Sequence, residues 1–185
     1  MVIFSGGAGG SAPVPPIDLW QVIETYEAAI PEATHTFTFP AIDFDDDSFL
    51  MLAVDMGVTA ALNLEILFDA FVAAYFTDGS QINSSANNFT DINAATEGQL
   101  VPTGGIFSEA NAQVIMLVRI GISKAGNRDW TRADISFQGG GANGSGHFGV
   151  VCQASNASLT DIIIQTSAST WQVGTRMTLY RVNRA

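Results

Sequence analysis

The stretch Leu159-Thr-Asp-Ile-Ile-Ile-Gln-Thr-Ser-Ala-Ser-Thr-Trp-Gln-Val-Gly-Thr-Arg-Met-Thr-Leu-Tyr-Arg-Val182 decides the reading of the fold. Its first part, Thr160 to Thr166, is a β-branched run that places Ile162 and Ile164 on one face of a strand and Ile163 on the other. Ser167 to Gly174 makes the connection. Beyond it, Met177 and Leu179 point one way while Tyr180 and Val182 point the other, so neither face suits free solvation. A strand apolar on both faces is expected inside a sheet or under cover. The pair is read as the last two strands of a sandwich.

Working outward from this pair, the same period of two recurs. Gln113 to Ser123 puts Val114, Met116, Val118, Ile120 and Ile122 on one face, and Thr131 to Gln138 directs Ala133, Ile135 and Phe137 inward. Lys124 to Asp129 is turn chemistry between them. Gly139 to Gly146 is a permissive hairpin tip leading to a strand over His147 to Ala154. Upstream, Ser48 to Met56 places Leu50, Leu52, Val54 and Met56 together. In Ala61 to Asp69, Leu62, Leu64, Ile66 and Phe68 face inward, with Asn63, Glu65 and Asp69 outward. A helix over Ala60 to Tyr75 competes, because alanine and leucine are good helix formers, but strict alternation decides for a strand. Thr34, Thr36 and Thr38 alternate with His35, Phe37 and Phe39 until Pro40, which is expected to stop the strand. Thr77 to Gly105 is polar, anchored by Ile82, Phe89, Ile92 and Leu100, and reads as a long loop that is either functional or locally folded. Roughly eight or nine short strands separated by turns predict an all-β, two-sheet antiparallel jelly-roll sandwich.

The segment from Ile17 to Ile30 is ambiguous on spacing. Leu19, Val22, Ile23, Tyr26 and Ile30 fit an amphipathic helix, with Asp18 as N-cap and Pro31 as its stop. Before it, Ser5 to Pro16 is a Gly-rich run followed by a Pro-rich one, flexible and then stiff and extended. Residues 1–16 are therefore expected to be an arm and residues 17–185 a single domain. Val2, Ile3 and Phe4 give the arm an apolar tip suited to docking on a neighbouring subunit; a plain disordered tail is the competing reading. No Gly-Lys-Ser/Thr follows the glycines, so they do not make a phosphate loop.

Composition narrows the function classes. The chain has 185 residues, 47% of them hydrophobic and 10% aromatic, enough for one domain with an ample core. No apolar run approaches a membrane span, and Met1-Val-Ile-Phe lacks the features of an export signal. Cys152 is the single cysteine; a buried small hydrophobe is expected in Val-Val-Cys-Gln rather than a nucleophile. Charge is divided: all seven basic residues lie beyond Val118, whereas fifteen of the eighteen acids precede it. A net charge of −11 argues against nucleic-acid binding, which needs clustered Lys and Arg. The asymmetry fits an acidic, soluble surface, complementary faces between copies, or strands that meet within one subunit.

One family resemblance runs through these segments. The isoleucine-rich strand, the Ser-rich connection and the ending Gly174-Thr175-Arg176-Met177-Thr178-Leu179-Tyr180 resemble the finish of small jelly-roll proteins of tailed-bacteriophage virions, meaning capsid decoration (cement) proteins and tail-fibre tip modules. Arg181 stands where glycine often follows. The resemblance extends over Trp20 to Ile23, Thr34 to Phe39, Asp43 to Met56 and Thr77 to Glu97. It implies a strand beginning near Trp20, and the segment is read as that strand rather than as the helix its spacing suggests. It also implies a virion role, and it brings no catalytic residues.

Chemistry-bearing residues are sparse. Asp43-Phe-Asp-Asp-Asp47 offers oxygen ligands for Ca²⁺ but lacks the glycine and terminal glutamate of an EF-hand, so a solvated acidic turn is preferred. His35, alternating with Phe37 and Phe39, reads as a packed or edge-strand histidine, and His147 has no evident catalytic partner. Trp20, Trp130 and Trp171 are expected in core or interface packing, with sugar stacking as the alternative if they are exposed. Asn-x-Ser/Thr triplets at Asn83, Asn88, Asn143 and Asn156 read as loop composition.

The expectation is a non-enzymatic virion protein without metal or cofactor, forming a homotrimer that decorates the capsid by binding the major capsid protein or another virion protein. A chain of this length starting at Met1 leaves no room for a fibre shaft, which favours decoration over a receptor-binding tip for host carbohydrate. Ile3, Phe4, Val14, Trp20, Arg119, Arg128, Arg132, Arg176 and Arg181 are the candidate interface residues.

Overall fold

The computed structural model describes residues 20–43, 49–58, 63–69, 75–82, 87–95, 97–101, 113–125, 128–139, 144–153, 158–166 and 169–182. These form twelve strands: β1 (Trp20–Glu27), β2 (Thr34–Asp43), β3 (Phe49–Gly57), β4 (Leu64–Phe68), β5 (Tyr75–Ile82), β6 (Asn87–Ala95), β7 (Gly98–Val101), β8 (Gln113–Ala125), β9 (Arg128–Gly139), β10 (Gly144–Gln153), β11 (Ser158–Thr166) and β12 (Arg176–Val182). The fold is an all-β sandwich of antiparallel sheets. Eight strands follow the order β1-β12-β3-β8-β9-β10-β5-β6, and four the order β2-β11-β4-β7.

Alternation in the sequence builds the core. Leu50, Leu52, Val54 and Met56 of β3 and Val114, Met116, Val118 and Ile120 of β8 are all buried, as are Met177 and Leu179 of β12. From the four-stranded sheet, Phe37 and Phe39, Leu64, Ile66 and Phe68, and Ile162 and Ile164 meet them in one apolar cluster. β12 lies inside the large sheet between β1 and β3, as a strand apolar on both faces should.

The strand expected to begin near Trp20 is β1, Trp20 to Glu27; pairing with β12 overrides the helical spacing of the segment. Three expectations need correction. Pro40 does not stop β2, which continues to Asp43. β2 is an edge strand, and its register with β11 shifts between Leu159 and Asp161, opposite the proline; a bulge at an edge tolerates a residue that cannot donate to the ladder. The polar region Thr77 to Gly105 is not a long loop, because β5, β6 and β7 occupy most of it. Its strands are polar since β5 and β6 end the large sheet, where fewer apolar side chains are needed. The strands therefore number twelve among the described residues rather than eight or nine.

Glu65 also departs from its expected solvent-facing place. β4 is covered on both faces, and Glu65 is buried, where its carboxylate accepts a hydrogen bond from Gln165 Nε2 at 2.9 Å. Asp69 ends β4 with φ +49°, a conformation aspartate tolerates better than most side chains. Its Oδ1 accepts from Thr160 N, Thr160 Oγ1 and Asp161 N at 2.8, 2.9 and 2.7 Å, tying β4 to β11.

The Gly174-Thr175 pair works as a structural clasp. Gly174 has φ +84°, which the turn into β12 requires, and its N–H donates to Ala28 O at 2.8 Å. Thr175 is buried, and its Oγ1 accepts from Gly57 N at 3.2 Å. The connection thus holds the ends of β1 and β3 as well as starting β12.

Candidate functional site: an apolar sheet face

Successive side chains on a strand alternate between faces, so the large sheet carries a second set of residues opposite its core. Four strands align these in rows. Val22, Tyr180, Met51 and Arg119 are in register across β1, β12, β3 and β8; Thr25, Thr178, Ala53 and Leu117 form the next row; Glu27, Arg176, Asp55 and Ile115 form the third. Trp20 stands at the end of β1, its ring edge-on to Tyr180 with centroids 5.7 Å apart.

This face is open and carries large exposed apolar side chains. Trp20 is 52% exposed, Val22 55%, Ile115 65% and Leu117 47%. An open hollow of about 1100 Å³ lies over it, lined by Val22, Ala53, Ile115, Leu117 and Tyr180 and also by Thr25, Thr178, Asp55 and Arg176. Its charged residues stand in the first and third rows. Arg119 lies over the Phe49 ring at 4.6 Å, and at the far end Asp55 accepts from Gln113 Nε2 at 2.8 Å. Large exposed apolar side chains interleaved with polar ones suit a protein–protein contact.

Register places the expected interface arginines differently from one another. Arg119 and Arg176 border this face. Arg176 is flanked in register by Glu27 and Asp55, so a strand from the basic part of the sequence does meet strands from the acidic part within a single chain; Arg119 has Met51 and Asp134 opposite. Arg181 has Leu50 opposite and belongs to the other face of β12. Arg128 and Arg132 pair in the ladder with Ala125 and Gly121. Ile3, Phe4 and Val14 lie outside the described residues, as do Asp45, Asp46 and Asp47 of the acidic turn.

Sequence reasoning chose Trp20 and missed Val22, Ile115, Leu117 and Tyr180 as one surface. The signal was the unbroken run Val114-Ile-Met-Leu-Val118, which is apolar on both faces just as β12 is. Two such strands near one another mark a sheet whose outer face is also meant to be covered.

The polar groups elsewhere are engaged in structure. His35 Nε2 lies 3.0 Å from Glu24 Oε1, joining β2, an edge of one sheet, to β1, an edge of the other. Its ring stacks on Tyr26 at 3.9 Å and meets Phe37 edge-on at 4.6 Å. Trp171 is fully buried. Desolvation raises the Tyr26 hydroxyl above its ordinary pKa, with the hydrogen bond to Glu32 acting the same way. Cys152 is buried, and desolvation pushes its thiol up. Among the described residues, no group of three or more His, Cys, Asp and Glu side chains is placed to hold a metal ion.

No family model matches the sequence, and no curated protein is significantly similar to it. Among solved structures, a chain from the structure of infectious bursal disease virus Gx strain aligns with 14% identity and a TM-score of 0.11, over 90% of this chain and 41% of that one. The chain thus spans less than half the length of that protein, and a likeness at this level carries no argument about fold or function.

Proposed function

We propose that the protein is a non-enzymatic structural component of a tailed-bacteriophage virion, a jelly-roll domain that assembles as a homotrimer and decorates the capsid by binding the major capsid protein or another virion protein. One observation carries the reading. Within the two sheets, β1-β12-β3-β8 runs opposite β2-β11-β4-β7, and consecutive strands of this set alternate between sheets except for β4 and β7, which share one; this order supports a jelly-roll winding. The hairpin strands β5-β6 and β9-β10 are then insertions that widen one sheet beyond β8. The exposed apolar face of the same sheet supports assembly over turnover, since it offers contact area without clustered acid, base and nucleophile.

Labelled antibody against the protein, viewed by electron microscopy on intact particles, tests the assignment. Regular label over the capsid shell is expected. Label at the tail tip alone would favour the carbohydrate-binding alternative, for which the half-exposed Trp20 ring is the specific observation. Absence of the protein from particles would overturn both.

A further inference from the structure

Six large apolar side chains stand exposed among the described residues, and they fall into two groups. Trp20, Val22, Ile115 and Leu117 belong to the outer face of β1, β12, β3 and β8. Ile30 is 62% exposed and Val173 59%, and neither lies in a strand.

Backbone hydrogen bonds bring these last two together. Ala28 N donates to Thr175 O at 2.9 Å, Gly174 N to Ala28 O at 2.8 Å, and Trp171 N to Glu32 O at 2.8 Å. The turn between β1 and β2 and the connection into β12 therefore run side by side, tied at both ends, with Ile30 and Val173 between the ties. Their exposed neighbours are Ala29, Pro31 and Gly174, so this end of the sandwich carries an uncharged, largely apolar knob. The fully buried Trp171, bridged to Glu32 and Val58, anchors it.

The knob suits the face in three ways. Connecting segments run over the surface, whereas the face has an open hollow of about 1100 Å³ above it. The chain carries a net charge of −11, so two copies repel one another least where uncharged residues enter the contact. The hollow is also lined by Thr25, Thr178, Asp55 and Arg176, which need hydrogen-bond partners once covered. Residues 29–31 lie outside every strand, so their backbone groups are not committed to a sheet ladder and can serve.

We propose that the knob formed by Ile30 and Val173 of one copy seats in the hollow beside Ile115 and Leu117 of a second copy. The contact joins different surfaces and is heterologous, and a ring of three uses every knob and every hollow once. This inference rests on the self-association in the proposed function and requires neither a capsid nor a phage.

The test uses full-length chains. Val173→Asp charges the knob and Ile115→Lys charges the face, each at a residue more than half exposed. Ile30→Asp repeats the first change on the other turn, and Ile115→Thr, which keeps strand propensity, replaces the lysine variant should that chain lose its β-sheet spectrum. Sedimentation at micromolar concentration is expected to give a trimer for the unaltered protein and a monomer for each variant, with the β-sheet spectrum unchanged. A mixture of Val173→Asp and Ile115→Lys retains one intact knob and one intact face, so a one-to-one heterodimer is expected. A variant of either kind that stays trimeric, a mixture that stays monomeric, or a monomeric unaltered protein overturns the proposal. An unaltered dimer that both substitutions dissolve would keep this contact and overturn the homotrimer instead.

Discussion

Trp171 donates its indole N–H to the Tyr26 hydroxyl over 3.1 Å, and that hydroxyl donates in turn to Glu32 over 2.7 Å. The tryptophan backbone bridges Glu32 on one side and Val58 on the other. One side chain from the β11–β12 connection therefore closes the end of the sandwich where β1 and β3 finish. Trp171→Ala is expected to cost about 3–5 kcal/mol through lost burial and the cavity left behind, read as a large drop in melting temperature. Trp171→Phe keeps much of the volume and should lose less, in proportion to the missing donor.

Leu179 and Cys152 separate size from polarity in the core. Leu179→Ala is expected to cost about 2–5 kcal/mol, because the side chain is fully buried in β12 between two partner strands. Cys152→Ser is expected to be mild to moderate. The raised thiol pKa and its burial also predict that Cys152 stays unmodified by an alkylating reagent at pH 8 until denaturant unfolds the chain. Denaturant titrations of both variants, with thiol labelling of the unaltered protein, check these outcomes.

The buried phenol of Tyr75 predicts an alkaline limit. Desolvation raises its pKa strongly above the ordinary value, and its Oη accepts the Phe68 N–H at 2.9 Å. An unfolded tyrosine ionises near pH 10, whereas the folded one stays neutral, so the unfolded state gains free energy as pH rises above about 10. Stability is therefore fully present below that pH and declines above it. Tyr26, shifted in the same direction, adds to the trend. Tyr75→Phe should flatten the alkaline decline while costing about 1–3 kcal/mol at neutral pH, since Phe68 N loses its acceptor. Melting curves from pH 7 to 11 provide the check.

Arg176 and Arg119 are expected to respond differently to reversal. Arg176→Glu would place three acids in one row with Glu27 and Asp55, and like charges directly opposite destabilise a sheet by roughly 0.2–1 kcal/mol per pair. A lowered melting temperature that recovers with added salt is the expected result. Arg119→Glu loses the cation over Phe49, worth about 0.5–1 kcal/mol at an exposed site, and reverses a charge at the border of the apolar face. Its larger effect should be on the oligomer seen by sedimentation.

The core was legible through the period of two: in Leu50 to Met56 and Val114 to Ile120 the residues assigned to the inward face are the buried ones. Local periodicity misleads where tertiary pairing supplies what the local sequence lacks. Ile23 and Tyr26 satisfy helical spacing, and only the family resemblance points to the strand; β1 is fixed by its ladder with β12 some 150 residues away. The polar β5 and β6 carry little hydrophobic signal because they finish a sheet. The outer face was half visible: Trp20 and Arg119 stood out by type, whereas Ile115 and Leu117 were hidden among buried neighbours of the same chemistry, and only the register of four strands brings them together.

The pairing of β1 with β12 also sets a timetable. Tyr26 lies opposite Met177, so the first described strand cannot take its place until the last has been made. During synthesis β1 waits as an unpaired edge while everything between is produced, and β3, whose other neighbour is β12, remains half-paired. Loop-closure entropy of this size must be met before the contact gives anything back, and topologies rich in distant pairings fold in milliseconds to seconds rather than microseconds. A ribosome-bound chain lacking β12 therefore exposes the sheet edges that invite association with other chains.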